Sequence, residues 1–340
     1  LDGAGHPHAC DFERLRPLLA CWTRCKSMSD HLPRCGFKKR MQGHYEWAIR
    51  AALRTSRPDG ASLFQKKGEA WSPSLDAFFR AAVAQSTDED DLKIFTIAMP
   101  GDRGPKAKRI RQLELPESSH QSEWAETSIL RTNWSADDPI LGVLYNDQKT
   151  RLEFTLGSNP FISGEWKTSI TLAGAALEPL GPWEEVCRLQ TDDVEYVELE
   201  QTWSESLRVQ RHVLLTHDEE FVLVADALLG ATQGAYRYEA TFPLYPGVTT
   251  KLADESRELT LVQGEAKTLV LPLALSEWKA DVEDGELSVG KNGLTLVRKQ
   301  EGGGLFAPLL IDFNKKRTRA KRLTWRRLTV AEKLTVEGDG

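Results

Sequence analysis

Residues 194–230 read VEYVELEQTWSESLRVQRHVLLTHDEEFVLVADALLG. In the middle run, Leu207, Val209, Val213 and Leu215 fall on one side of an extended chain, and only Arg211 interrupts that side. This period of two marks a strand covered on one face, because successive side chains point to opposite faces of a sheet. The same rhythm continues in both directions. LKIFTIA, EWAETSIL, TRLEFTLG and KTSITLAG precede it, and YRYEATFPL, RELTLVQG, KTLVLPLAL, ELSVG, GLTLVRK and APLLIDF follow. These runs are short, rich in Val, Leu, Thr and aromatics, and bounded by Gly, Pro, Asn and Asp, which is the pattern of strands and turns. No helical pattern lies between them, so antiparallel sandwich or barrel layers are favoured over a parallel βαβ sheet.

Upstream the period changes to that of a helix. Leu15, Leu18, Leu19 and Trp22 gather on one face after Arg16-Pro17, and Tyr45, Ala48, Ile49, Ala52 and Leu53 do so before the turn signal Arg57-Pro58-Asp59-Gly60. A third stripe, Leu75, Phe78, Phe79, Ala82 and Val83, starts at Ser72-Pro73, with Ser as N-cap and Pro in the first turn. The fold class expected is α+β, a short N-terminal helical layer followed by a large antiparallel β-sandwich. The helical region covers 1–90, a connector with the first strand 91–122, and the sandwich 123–340.

The chain of 340 residues has 40% apolar and 28% charged residues, enough for a sizeable buried core and unlike collagenous, disordered or coiled-coil compositions. No stretch approaches the roughly 20 apolar residues of a membrane span, and the first 30 residues lack the order of a signal peptide. The chain opens on Leu1 and not on Met, as either a processed product or a piece of a longer protein would. Net charge is -6, which argues against nucleic acid as a partner. Locally, however, eight of the thirteen residues 315–327 (KKRTRAKRLTWRR) are Lys or Arg. Arg317, Arg319 and Lys321 belong to this strip, which suits either an anionic polymer or a charged, protected sheet edge. A smaller basic cluster runs over 103–111.

Four of the five cysteines, Cys10, Cys21, Cys25 and Cys35, fall in the first 35 residues, and Cys187 stands apart. An odd count so arranged is no disulfide framework. Cys21 and Cys25 share a helix face, where small-residue packing competes with a zinc site. Glycine-rich nucleotide loops, G-x-S-x-G and H-E-x-x-H are absent from the sequence. Gly5-His6-Pro7-His8 holds two imidazoles that titrate near neutrality and so could act as base or acid, or simply sit in a terminal loop. Tyr45, next to His44, is a candidate base that equally fits the helical core stripe. Trp134, Trp166, Trp183, Trp203 and Trp278 all lie near strand ends, where they can stack on sugars or pack the core.

The order of helical layer, connector and many antiparallel strands resembles the heparinase II/III-like polysaccharide lyases. The likeness is carried by two passages. SEWAETSILRTNWSADDPILGVLY puts Arg131 and Trp134 in an R-x-x-W arrangement, and the 194–230 hairpin carries Arg211 on one strand and Asp226 on the next. The resemblance implies an incomplete α/α toroid joined to a sandwich, an acidic polysaccharide partner, β-elimination at uronic acid, and a periplasmic or extracellular setting. For such an elimination Arg131 is the candidate to neutralise the sugar carboxylate and His6, His8 or Tyr45 the candidate base, although nothing in the spacing brings them together. Trp134, Arg211, Arg317, Arg319 and Lys321 are the candidates to bind substrate, and by the resemblance Asp226 holds a structural divalent metal, the only cofactor implied. The departures are equally specific. YNDQKTRLEFTLGSNPFISGEW contains no His where the family has a His-rich strand, and GAYRYEATF lacks its second metal-ligand His. A non-catalytic carbohydrate-binding or structural module is the alternative reading.

Overall fold

The computed structural model describes residues 1–32, 36–65, 75–99, 114–230, 233–280 and 285–318. A short 3-10 helix, Ala9–Arg14, leads into α1 (Leu15–Asp30), followed by α2 (Lys39–Arg54), α3 (Leu75–Val83) and α4 (Glu89–Ala98). The first two helices bury the stripes expected of them: Leu15 and Leu19 from α1, and Tyr45, Ala48, Ile49, Ala52 and Leu53 from α2. Phe79, Ala82 and Val83 of α3 join the same core. The Ser72-Pro73 start lies outside the described residues, as do Cys35 and the 103–111 cluster.

One expected strand is a helix. LKIFTIA belongs to α4, because Asp88 caps it by accepting from the Asp90 N–H, and Glu89, Asp90 and Asp91 fill its first turn. Ile94, Phe95, Ile97 and Ala98 then face the helical core, and tertiary burial overrides the β-branched residues. Cys21 and Cys25 are both exposed, on the outer side of α1.

Three antiparallel sheets follow, in agreement with the expected sandwich. The first orders β1 (His120–Ser122), β2 (Thr127–Arg131), β3 (Pro139–Asn146), β4 (Lys149–Leu156) and β5 (Asn159–Glu165) side by side. In chain order come β6 (Lys167–Leu172), β7 (Ala175–Leu177), β8 (Glu184–Gln190), β9 (Val194–Thr202), β10 (Arg208–Thr216), β11 (Phe221–Leu229) and β12 (Gly234–Phe242). The last are β13 (Thr249–Leu252), β14 (Leu259–Gln263), β15 (Ala266–Leu271), β16 (Gly285–Gly290), β17 (Gly293–Gly302) and β18 (Leu305–Asp312). The eight-stranded sheet runs β13-β14-β15-β18-β11-β10-β9-β8, and the third runs β16-β17-β12-β6-β7.

One large core draws on all three sheets. Val209, Val213 and Leu215 of β10 meet Leu152 and Phe154 of β4 and Tyr238 and Phe242 of β12 within it. The first sheet is buried on its other face too, where Ile129, Ile140 and Leu144 pack on Phe12, Leu63 and Phe64. That explains why all five residues of β2 and seven of the eight in β3 are buried. At Gly142 a Cβ would come within 3.2 Å of Leu63 Cδ1, so the absent side chain is what lets the 62–65 loop lie down on β3. The helical core reaches the sandwich at Trp134. Among the described residues no helix is long and apolar enough to cross a membrane.

Candidate functional site

The pairing of β9 with β10 sets Glu195 opposite Leu215 and Val194 opposite Thr216. His217 follows directly, and its N–H donates to the Asp193 carbonyl at 2.9 Å. The hairpin therefore places the Glu195 and His217 side chains together at one end of the eight-stranded sheet. Two other segments close a cleft around them: residues 115–118 of the connector, and Arg131, Thr132, Asn133 and Trp134 at the end of β2. Its volume is about 510 Å³, within the range of small-ligand sites.

Within the cleft Glu195 Oε1 lies 3.7 Å from His217 Nε2. The carboxyl is 2% exposed and the imidazole 19%. Glu195 Oε2 and His217 Nε2 are buried without a hydrogen-bond partner among the described residues, a condition that costs about 1–3 kcal/mol per group. Burial pushes the Glu195 carboxyl up to about 7, with the Ser119 hydroxyl pulling it down and the Glu117 charge raising it further. A carboxyl poised near neutrality is suited to proton transfer.

Arg131 forms the opposite wall. Its Nη1 donates to the Arg54 carbonyl at 3.2 Å, and its guanidinium lies 5.2 Å from the Trp134 ring centre. Burial lowers it to about 10, Asp138 raises it and Arg54 lowers it, so it remains a cation at neutral pH. Trp134 is not a free sugar platform. It is buried between Arg131 and Arg54, the latter 5.5 Å from the ring, and its Nε1 donates to the Pro116 carbonyl at 2.6 Å.

His6 sits behind this wall. Arg54 Nη1 lies 3.0 Å from His6 Nε2, while its Nη2 and Nε donate to the carbonyls of Glu117 and Ser118. An arginine only donates, so His6 Nε2 accepts and the proton of the neutral ring is on Nδ1. Burial, then the neighbouring His120 and Arg54, lower its basicity strongly. Its ring stacks on His120 at 3.9 Å, and His120 Nε2 is 2.8 Å from Asp2 Oδ2. Burial pushes the Asp2 carboxyl up, but the His120 hydrogen bond and the N–H groups of His6 and Ala4 carry it well below the usual carboxylate range. His6 is thus fully enclosed and one residue removed from the cleft.

The remaining candidates are dispersed. His8 lies 3.2 Å from Glu126 and beside exposed Trp124. Tyr45 is fully buried in the helical core, donating to the Ala82 carbonyl and meeting Thr23 Oγ1 at 3.0 Å; burial pushes its phenol up to about 12. A phenol so held has no face toward a ligand. Arg317 binds Asp312 through Nε and Nη2 at 2.6 and 3.1 Å. Arg319 and Lys321 lie outside the described residues. Of the five tryptophans singled out, Trp166, Trp183 and Trp203 join Trp134 in being buried, and Trp278 is exposed.

Arg211 and Asp226 form an ion pair inside the sandwich. Arg211 Nε and Nη2 both donate at 2.9 Å to Asp226, whose Oδ2 also accepts from Thr168 Oγ1 and Tyr238 Oη at 2.9 and 2.8 Å. The guanidinium lies 3.9 Å from the centre of the Trp166 ring and 4.4 Å from that of Trp183. These contacts occupy the carboxylate that the family resemblance assigns to a metal. No cluster of three or more His, Cys, Asp or Glu side chains suited to a metal occurs among the described residues. Asp226 does not fit a metal site. Sequence reasoning missed Glu195 and His217, although folding the hairpin about Ser204-Glu205-Ser206 would have brought them together.

A helical layer capping an antiparallel three-sheet sandwich, with a cleft at their junction, is the class this architecture defines. No family model and no curated protein matches the chain. Solved structures do. A heparinase III with methylated lysines superposes with a TM-score of 0.64 at 12% identity, covering 92% of this chain and 52% of that one. A heparan sulfate lyase HepC mutant from Pedobacter heparinus gives 0.61 at 13% identity, with 92% and 53% covered. A further heparinase III gives 0.59 at 11%, with 88% and 53% covered. The chain has a divergent heparinase III-like fold and spans about half the length of the structures it matches.

Proposed function

We propose that this chain interacts with acidic polysaccharide through the cleft between the connector, the end of β2 and the β9–β10 hairpin, and acts there on uronic acid as a lyase. The observation that carries the reading is the heparinase III-like fold with a cleft at the junction of helical layer and sandwich, walled by the Arg131 cation. Elimination needs a cation to neutralise the uronate, so that the adjacent carbon acid can lose its proton. Arg131 is the one arginine among the described cleft-lining residues, 1% exposed and donating to the Arg54 and Asn133 carbonyls.

A non-catalytic binding module is the second reading, and two observations favour it. The stretch 145–166 contains no His, and Asp226 is committed to Arg211.

Titration calorimetry with heparan sulfate tests the interaction. Binding at low salt that weakens about tenfold or more in Arg131→Lys is expected, because a bidentate or stacked guanidinium is not replaced by an ammonium. Absence of binding, or a variant that binds as tightly as the parent, would remove the cleft from the account.

A further inference from the structure

An unbroken row of large side chains crosses the outer face of the eight-stranded sheet. Leu189 of β8 lies opposite Tyr196 of β9, Tyr196 opposite Leu214 of β10, and Leu214 opposite Leu223 of β11. Leu223 in turn lies opposite Leu310 of β18, and Leu310 opposite Leu271 of β15. The row therefore holds six residues on six strands, five of them leucine. It lies on the face away from the core that Val197, Val213, Val222 and Leu309 fill, because successive side chains alternate across a sheet. Leu189 is 49% exposed, and so is 52% of Phe306 on the same face of β18. Tyr196, Leu214, Leu223 and Leu310 are half-buried, and Leu271 packs with Leu269, Leu273 and Leu310.

An antiparallel sheet with one face in water keeps its apolar residues inside and its polar residues outside. Along this row both faces are apolar, which marks a surface that another molecule covers. Charge is divided on either side of it. Toward one end of the strands, Glu198 and Glu200 of β9 stand on the same face as Tyr196. Tyr196 Oη donates to Glu198 Oε2 at 2.7 Å, and Gln210 Nε2 donates to Glu200 Oε2 at 3.0 Å. Toward the other end and three strands away, Arg317 Nε donates to Asp312 at 2.6 Å, with Lys315 and Lys316 exposed beside it.

We propose that this face is the interface of a symmetric dimer, with a second copy of the chain as its occupant. An isologous contact requires one surface to complement itself, and this one carries an acidic corner, a basic corner and an apolar strip between them. A two-fold axis lying in the interface midway between the corners sets the Glu198 and Glu200 corner of each copy over the Arg317 corner of the other. Leu214 and Leu223 then meet their counterparts at the centre. With strands about 4.8 Å apart and residues about 3.3 Å apart along them, the sheet offers a face of roughly 800 Å², which is one partner's share of a stable interface. The hydrogen bonds already holding Glu198 and Glu200 reduce the ordering that association costs. None of these side chains lines the Arg131 cleft, so the inference stands apart from the polysaccharide reading.

Sedimentation velocity on the whole chain tests it, without polysaccharide, which would compete for the lysines. The parent is expected to be dimeric at about 10 μM, since interfaces of this size bind at micromolar strength or tighter. Leu223→Lys puts an unpaired charge at the centre and is expected to weaken association about 100-fold or more, with the far-ultraviolet circular dichroism unchanged. Should that variant fail to fold, Leu189→Lys at the open end of the row reads the same loss. Glu198→Lys with Glu200→Lys is expected to weaken association about tenfold or more, and adding Lys315→Glu and Lys316→Glu to the same chain to restore it. Damage to the fold alone would not be rescued in this way. A parent that stays monomeric up to about 100 μM overturns the proposal, even if a different protein covers the face. Dimers unweakened by the lysine in the row, or charge reversal without rescue, overturn it as well.

Discussion

At the scale of single residues, an arginine in the middle of an apolar strand face must find an anion inside or destroy the strand's burial. Arg211 finds Asp226 on the neighbouring strand, directly opposite in the β10–β11 register. Thr168, Tyr238 and the two tryptophan rings complete the enclosure, and burial followed by the Asp226 charge pushes the Tyr238 phenol strongly up. A buried pair whose partner is removed leaves an uncompensated charge. Asp226→Asn is therefore expected to lower stability by about 3–5 kcal/mol, read as a lower urea midpoint with an unchanged slope. Unaltered unfolding in that variant, or a thermal midpoint that falls on adding a chelator to the parent, would return Asp226 to the metal role. Arg57 and Glu153 repeat the device between the helical layer and the first sheet, at 2.9 Å, with the Phe64 N–H and Ser163 hydroxyl on the other carboxylate oxygen.

At the scale of elements, Trp134 is the pin between the layers. Its ring belongs to the helical core, its indole N–H holds the connector at Pro116, and arginines from α2 and β2 lie 5.5 and 5.2 Å from the ring centre. Trp134→Ala is expected to cost about 3–5 kcal/mol. Near-ultraviolet circular dichroism should also show loosened packing where the layers meet; a variant as stable as the parent would mean the layers dock elsewhere. The strands and the two long helices were legible because their apolar periods agree with their burial. LKIFTIA was not, since a seven-residue apolar run suits a strand or a buried helix equally, and only the Asp88 cap decides. Trp134, Trp166, Trp183, Trp203 and Arg211 were open to a ligand role or to packing for a related reason. Composition marks them as capable of binding, but only pairing across the sheets shows them facing inward. Glu195 and His217 carry no local signal at all, and their proximity is a property of hairpin register.

At the scale of the whole molecule, a chain of net charge -6 that holds an acidic polymer, as proposed, does so against its own average field, so binding depends on where the local charge changes sign. The basic strip 315–327, of which only residues up to 318 are described, offers that, whereas the cleft sets the buried Arg131 against Glu117, Asp192 and Glu195. Lysine and arginine do not titrate between about pH 5.5 and 8, so attraction to the strip varies with salt through released counterions and not with pH. The cleft behaves differently. Its Glu195 carboxyl is raised from 4.5 to about 7. It is uncharged below that value and anionic above it, and the cleft therefore gains a repelling charge as pH rises. Heparan sulfate is expected to bind several-fold tighter at about pH 5.5 than at about pH 8, with that difference shrinking in Glu195→Gln and the salt slope kept. Calorimetry at two pH values and two salt concentrations separates the sites. Affinity that follows salt alone, identical at both pH values and in Glu195→Gln, would assign the polymer to the strip and withdraw it from the cleft.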